Sequence, residues 1–240
     1  MVSTKKGLSS AALRWLAIAL MVLDHVWIAL FKPDCFWMTC LGRLSFPIFA
    51  FLIAEGAYHT SNFKKYALRL FFCGILSEIP YNLFTACSFV NPGRQNIFFT
   101  LLAGLLCLKI FWWAKEQDSK QRYLVAFAFF AAVYWLGDRL HMPYGGLGIT
   151  MVVAFGLARG QKREKLLQAV CLLLLNSQIP GRMLTMGDYA FSIQNFATLA
   201  LIPIWCYNGK AGTKNKILQY SAYVFYPAHL CILVLLRRFL

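Results

Sequence analysis

Long apolar runs alternate along this chain with short breaks rich in Gly, Pro, Lys and Arg. A helix needs about 20 mostly apolar residues to cross a bilayer core. The breaks therefore divide the sequence into helical spans near residues 9–31, 37–58, 64–86, 96–114, 122–137, 146–160, 165–180, 190–207 and 218–236. This pattern predicts an all-α polytopic membrane protein, a bundle of about nine transmembrane helices, in which the fifth to seventh are shortest. The loops are too short for a soluble domain and no repeat of fixed period is visible, so residues 1–240 read as a single transmembrane domain. Lysines precede the first run as they would in a signal peptide. That run is nevertheless long, internally charged and without a small-x-small cleavage pattern, so it is expected to stay in the mature protein.

Composition agrees with a membrane class. Of 240 residues, 60% are hydrophobic and 14% charged, and the mean hydropathy is +0.58, well outside soluble proteins. The net charge of +15 would suit nucleic acid. The basic residues, however, arrive in small groups between apolar runs, where the positive-inside rule accounts for them, and nucleic-acid binding is disfavoured. In alternate loops one side collects Lys5, Lys6, Lys64, Lys65, Lys115, Lys120, Arg122, Arg159, Lys162, Arg163, Lys165, Lys210, Lys214 and Lys216, while the other collects Lys32, Arg94, Arg139, Arg182, Arg237 and Arg238. The excess predicts a cytoplasmic N-terminus and an extracytoplasmic C-terminus in a bacterial cytoplasmic membrane.

The eight cysteines show no C-x-x-C pairing and fall mostly in apolar runs, as packing residues do. Only Cys35 and Cys40, near one membrane face, are placed to form a bridge.

Ionisable groups inside spans are costly and face the bundle interior or a wet cavity. Depth sorts them into two layers. One holds Asp24, His25, Arg43, Glu78 and His229, a mixture of acid, base and cation. The other holds Arg14, Arg69 and Glu55, flanked by His59, Lys64 and Lys65, and is mostly cationic. Arg14 and His25 are eleven positions apart, which at ~100° per residue returns to within about 20° of one helix face and separates them by about 16 Å. This arrangement suits a long, thin ligand with an anionic head at the cytoplasmic end and a reactive tail beyond the midplane. Arg and Lys hold phosphates, and a neutral His near a thioester takes a proton from an attacking amine or hydroxyl. Coenzyme A has this shape.

Leu-Asp24-His25, "GRLSFPIFAFLIAEGAYHT" with "KKYALRL", then "SEIPYN", "NIFFTLL", "YGGLGI", "YNGKAG" and "FYPAHL" run through most of the chain. On these motifs the chain resembles the TraX family, named for the membrane protein that acetylates F-type conjugative pilin. The R-x10-H spacing from Arg14 to His25, with Tyr223, Tyr226 and His229, is also similar to a wider group of integral-membrane acyltransferases. The resemblance implies His25 as base, acetyl-CoA as donor, Arg14 as a donor contact, and Glu78 and His229 as residues lining the site. It leaves open whether the acceptor is a peptide N-terminus, as in conjugation pilin, or a glycan hydroxyl.

The expected site is thus His25, Asp24, Glu78 and His229 for chemistry, with Arg14, Arg69 and Arg43 toward the donor. A plainer reading stands beside each. His25 is a core histidine on a carbonyl; Arg14 and Arg69 snorkel to headgroups; His229 answers the carbonyl that Pro227 frees. Adjacent helix positions point about 100° apart, so Asp24 is expected to pair with Arg43 across helices, and Glu78 to orient His25. Arg43 is also a candidate to steady an oxyanion. No ligand spacing announces a metal among His25, His229 and Glu78. "YGGLG" reads as a turn rather than a phosphate loop; Asn195, Gln194 and Arg182 are candidates for the outer mouth. The rival readings are a proton-coupled secondary transporter of a small solute and a non-catalytic subunit of an assembly machine.

Overall fold

A computed structural model describes residues 7–32, 34–186, 189–212 and 216–239, with the side chains of 186 and 216–220 excepted. Lys5, Lys6 and Lys214 of the charge asymmetry lie outside the described residues, as does the side chain of Lys216. Among the described residues the named elements are helical except for one hairpin. In order come α1 (Ser10–Val26), a π-helical turn (Trp27–Phe31), α2 (Trp37–Gly42), α3 (Ser45–His59), α4 (Phe63–Ala86), α5 (Ile97–Glu116), α6 (Lys120–Arg139), α7 (Gly145–Ala158) and α8 (Glu164–Gln178). Strands β1 (Met183–Met186) and β2 (Tyr189–Ser192) pair antiparallel, and a 3-10 segment (Ile193–Ala200), α9 (Leu201–Trp205) and α10 (Lys216–Phe239) follow.

Helix ends follow local chemistry. Ser9 caps α1 by accepting from the Ala12 N–H at 3.2 Å, Asn62 caps α4 through Lys65, and Asn96 caps α5 through Phe98. Lys32 is extended, with ψ 132°, as a residue preceding proline must be, and it closes the helical run that α1 begins. Cys87 ends α4 in the left-handed region at φ 52°.

Two compact units are distinguished: Met1–Leu52 with Leu172–Leu240, and Ile53–Cys171. In the first, α1 packs against α2 and α10, and α2 against the 3-10 segment. Leu13, Ala17, Ile18 and Met21 turn the buried face of α1 inward, and the Ser45 hydroxyl donates to the Ala17 carbonyl at 2.8 Å. Gly42 permits the close crossing of α1 and α2, since a Cβ there would lie 2.4 Å from Asp24 Cβ. In the second unit, α5 is central and packs against α4, α6 and α7.

Four helical stretches among the described residues are long and apolar enough to cross a membrane: Ser10–Phe31, Trp37–His59, Ile97–Glu116 and Ser221–Phe239. Gly145–Ala158 and Ile193–Trp205 are apolar but shorter. Nine such helices were expected from the breaks in the sequence. The spans expected at 64–86 and 122–137 do form helices, but α4 carries Lys64, Lys65, Arg69 and Glu78, which dilute its apolar character. The span expected at 190–207 is not one helix. The Ser192 hydroxyl accepts from the Gln194 N–H and starts a 3-10 segment, and only Leu201–Trp205, containing Pro203, is α-helical.

Candidate functional site

His25 stands in the last turn of α1, immediately before the π-helical turn, and meets His229 from α10. His25 Nδ1 lies 2.7 Å from His229 Nε2, and the rings are 4° from parallel with centroids 5.0 Å apart. His229 is 5% exposed, and its Nδ1 is 3.0 Å from the Phe225 carbonyl, two residues before Pro227. These contacts fix the tautomers of neutral rings. A carbonyl only accepts, so His229 Nδ1 carries its proton and His229 Nε2 keeps a lone pair. His25 Nδ1–H then donates to that lone pair, and the second nitrogen of His25, Nε2, is basic. Tyr226 packs edge-on against both imidazoles, with centroids 6.4 Å from His25 and 5.5 Å from His229. Trp15 meets Phe225 edge-on and joins the same two helices one face away.

Asp24 turns aside from this pair. Arg43 Nη2 donates to both of its carboxylate oxygens at 2.8 Å, Thr39 Oγ1 donates to Oδ1 at 2.5 Å, and Arg43 Nη2 also reaches Thr39 Oγ1 at 3.1 Å. The expected cross-helix pairing is present, joined by Thr39, which sequence reasoning did not single out. Its signal was readable: Thr39 and Arg43 are four apart, on one face of the α2 turn. The guanidinium of Arg43 is thereby committed to Asp24 rather than displayed toward a donor.

The place expected for Glu78, orienting the His25 imidazole, is filled by His229. Glu78 Oε1 instead accepts from the Asn96 backbone N–H at 3.2 Å and from the Asn96 side-chain amide. Asn96 is fully buried, and it also donates to the Gly74 carbonyl at 2.8 Å while capping α5. Glu78 thus anchors a helix start, a role a cap residue imposes and the depth of Glu78 alone does not reveal.

Arg14 lies half-buried on α1 with no hydrogen-bond or ion-pair partner among the described residues. Arg69, on α4, lays its guanidinium 5.6 Å from the Tyr66 ring centroid, and its buried Nε has no hydrogen-bond partner. Glu55, 6% exposed on α3, is engaged by a residue the sequence did not flag. Arg159 Nε donates to it at 2.5 Å, its guanidinium sits 3.5 Å from the Tyr58 centroid, and His59 completes the group at 3.4 Å from Glu55. Gln194 is buried and donates to Asn176 Oδ1 at 2.9 Å, so it is a packing residue, while Asn195 and Arg182 are exposed. Among the described residues no three His, Cys, Asp or Glu side chains converge on one point, and the eight cysteines, Cys35 and Cys40 included, are free thiols.

Comparisons with known proteins cover nearly all of this chain. A probable fimbrial assembly protein, FimC of serogroup H1, from Dichelobacter nodosus is 29% identical, over 97% of this chain and 97% of its own length. Protein TraX of Escherichia coli is 27% identical, over 92% of this chain and 84% of its own. No solved structure matches. The sequence profile described as TraX protein matches residues 9–237, which takes in His25, His229 and the Asp24–Arg43 pair and runs from α1 into α10, and the chain belongs to the TraX family.

Proposed function

We propose that this chain is an integral-membrane acetyltransferase that moves the acetyl group of cytoplasmic acetyl-CoA to an amine, such as the N-terminus of a pilin-type peptide, or to a hydroxyl. The observation that carries the reading is the chain of contacts Phe225 carbonyl, His229, His25, which leaves His25 Nε2 as the basic atom. The family and the pilus-related name of the Dichelobacter relative support a pilin acceptor.

The step balances simply. His25 Nε2 takes the proton of the acceptor N–H or O–H as that atom attacks the thioester carbonyl, and the nascent imidazolium is steadied by its Nδ1–H bond to His229. The tetrahedral intermediate expels the thiolate, which takes the proton from His25, giving the acetylated acceptor and free thiol. Arg14, on the His25 face of α1 and about 16 Å away by helical rise, is a contact for the anionic end of the donor.

In this reading the chain crosses the bacterial cytoplasmic membrane nine times, with the N-terminus inside. Backbone hydrogen bonds support the threading. Leu8 N–H donates to the Cys206 carbonyl at 2.7 Å and Asn208 N–H to the Leu8 carbonyl at 2.9 Å, which requires residues 8 and 208 to share a membrane face and the crossings between them to be even.

Purified protein in lipid nanodiscs, given acetyl-CoA and an acceptor peptide, is expected to release free thiol, and His25→Ala is expected to abolish the release. Absence of turnover in the wild type, or turnover untouched by that substitution, sinks the reading. The Asp24–Arg43 ion pair at bilayer depth favours one second reading, a proton-coupled transporter. Dissipation of a solute gradient in proteoliposomes, without thiol release, would establish it instead.

A further inference from the structure

The motif Tyr207-Asn208-Gly209-Lys210-Ala211-Gly212 plays no part in the chemistry above, yet it is stitched to the start of α1. Ser10 N–H donates to the Lys210 carbonyl at 2.9 Å and Ala11 N–H to the Ala211 carbonyl at 3.1 Å, above the bonds that join Leu8 to Cys206 and Asn208. The Asn208 amide donates to the Gly7 carbonyl at 3.0 Å, and its Oδ1 accepts from the Lys210 N–H at 2.9 Å. Gly212 closes this clasp: its φ is +87°, and a Cβ there would lie 2.5 Å from Ser9 Oγ.

We infer that Lys210 and Arg14 form a two-cation site for the phosphate groups of the ligand, assembled by this clasp; the identity of that ligand as an acyl-CoA rests on the function proposed above. The amide end of α1 is not the anion site. Its first free N–H groups, at Ser10, Ala11 and Ala12, already donate to Lys210, Ala211 and Ser9, so positive charge must come from side chains. Lys210 is pinned at both its N–H and its carbonyl beside Ser10, while its side chain is exposed. Arg14 follows Ser10 by one turn, about 6 Å along the axis on the same face, within the combined reach of two long cationic side chains. Neither cation has an acidic partner among the described residues. The sequence holds no Asp or Glu from residue 1 to 23 or from 189 to 240, and Asp24 is engaged by Arg43. A concentration of unneutralised positive charge at one helix end recruits phosphate, whether from a soluble nucleotide or from a lipid headgroup.

Binding of CoA itself to the protein in phosphatidylcholine nanodiscs tests this without requiring turnover. Lys210→Ala is expected to raise Kd for CoA roughly tenfold or more, as loss of a charge-assisted contact does, and Lys210→Arg to restore it. Lys210→Ala combined with Arg14→Ala should cost less than the sum of the two. With transfer as readout, the KM advantage of acetyl-CoA over S-acetylpantetheine should collapse in Lys210→Ala, because the latter lacks the nucleotide phosphates. Unchanged CoA binding overturns the inference, even where acetyl transfer persists. So does a Lys210→Ala effect confined to retention of phosphatidylglycerol, which would assign the cations to lipid. CoA binding that depends on Lys210 in a protein that transfers no acetyl group would uphold the site and reject the reaction. A wild type that does not bind CoA rejects both.

Discussion

His25 Nδ1 and His229 Nε2 are 2.7 Å apart in rings 4° from parallel, so one imidazole sets the tautomer of the other. The consequence is a difference between substitutions. On the proposed mechanism His25→Ala removes the base and is expected to lower kcat by roughly 10²–10⁴. His229→Ala removes only the acceptor that holds Nδ1–H, a hydrogen bond to a developing cation worth about 1.5–3 kcal/mol, or roughly 10- to 100-fold in rate. His229→Gln retains an accepting oxygen and should recover part of that loss. Steady-state kcat for the three variants checks the assignment; equal losses for His229→Ala and His229→Gln would show that His229 acts through something other than acceptance.

Asp24 and Arg43 form a part-buried pair, 15% and 23% exposed in their side chains, held by Thr39. Removing one partner leaves the other charge uncompensated, which costs about 3–5 kcal/mol in a fully buried pair and less where water reaches it. Asp24→Ala and Arg43→Ala should each lower the melting temperature in detergent, and the double variant should melt above the sum of the two losses. Additive losses would mean that the ion pair contributes nothing to the α1–α2 crossing.

The Asp24–Arg43 pair was legible because adjacent helix positions diverge by about 100°: with His25 aimed into the bundle, Asp24 had to find another helix. The Arg14–His25 face was legible by the same periodicity, and α1 is continuous between them. Glu78 was misjudged because depth gives no azimuth, and its partner Asn96 is set by the start of α5, eighteen residues on. The break in the eighth span has a similar cause. An apolar run reads alike as α or 3-10 helix, and the deciding features are the Ser192 cap and Pro203. Arg159 carried no local signal, since its partners Glu55 and Tyr58 lie a hundred residues earlier.

The threading makes a labelling prediction. Cys35 is an exposed free thiol in the first loop, and Lys210 is exposed in the clasp beside residue 10. With the N-terminus inside, a variant keeping only Cys35 should react with a membrane-impermeant maleimide in intact cells. A cysteine-free chain carrying Lys210→Cys should react only after permeabilisation. Reaction of both from the same side would break the odd number of crossings that this threading places between Cys35 and the clasp.

Helices α5 and α7 meet through two reciprocal pairs of small and large residues, and this predicts an asymmetry. Val152 fills the hollow at Gly104, where a Cβ would lie 2.6 Å from Val152 Cβ, and Leu108 fills the hollow at Gly156, where a Cβ would lie 2.3 Å from Leu108 Cδ2. Without a hydrophobic drive between helices in lipid, close approach through small residues supplies much of the attraction. The intruding methyl of Gly156→Ala meets the far end of a flexible side chain, which can turn away. That of Gly104→Ala meets the β-branched root of valine, which is stiff and cannot. Overpacking costs about 1–3 kcal/mol, and Gly104→Ala should fall at the upper end and Gly156→Ala at the lower. Adding Leu108→Ala should recover stability in the Gly156→Ala background, although alone it costs about 2–5 kcal/mol as a buried leucine truncation. Melting temperatures of the four variants in one detergent decide the matter: if the two glycine substitutions cost the same, backbone entropy rather than the interlocked contact governs this helix pair.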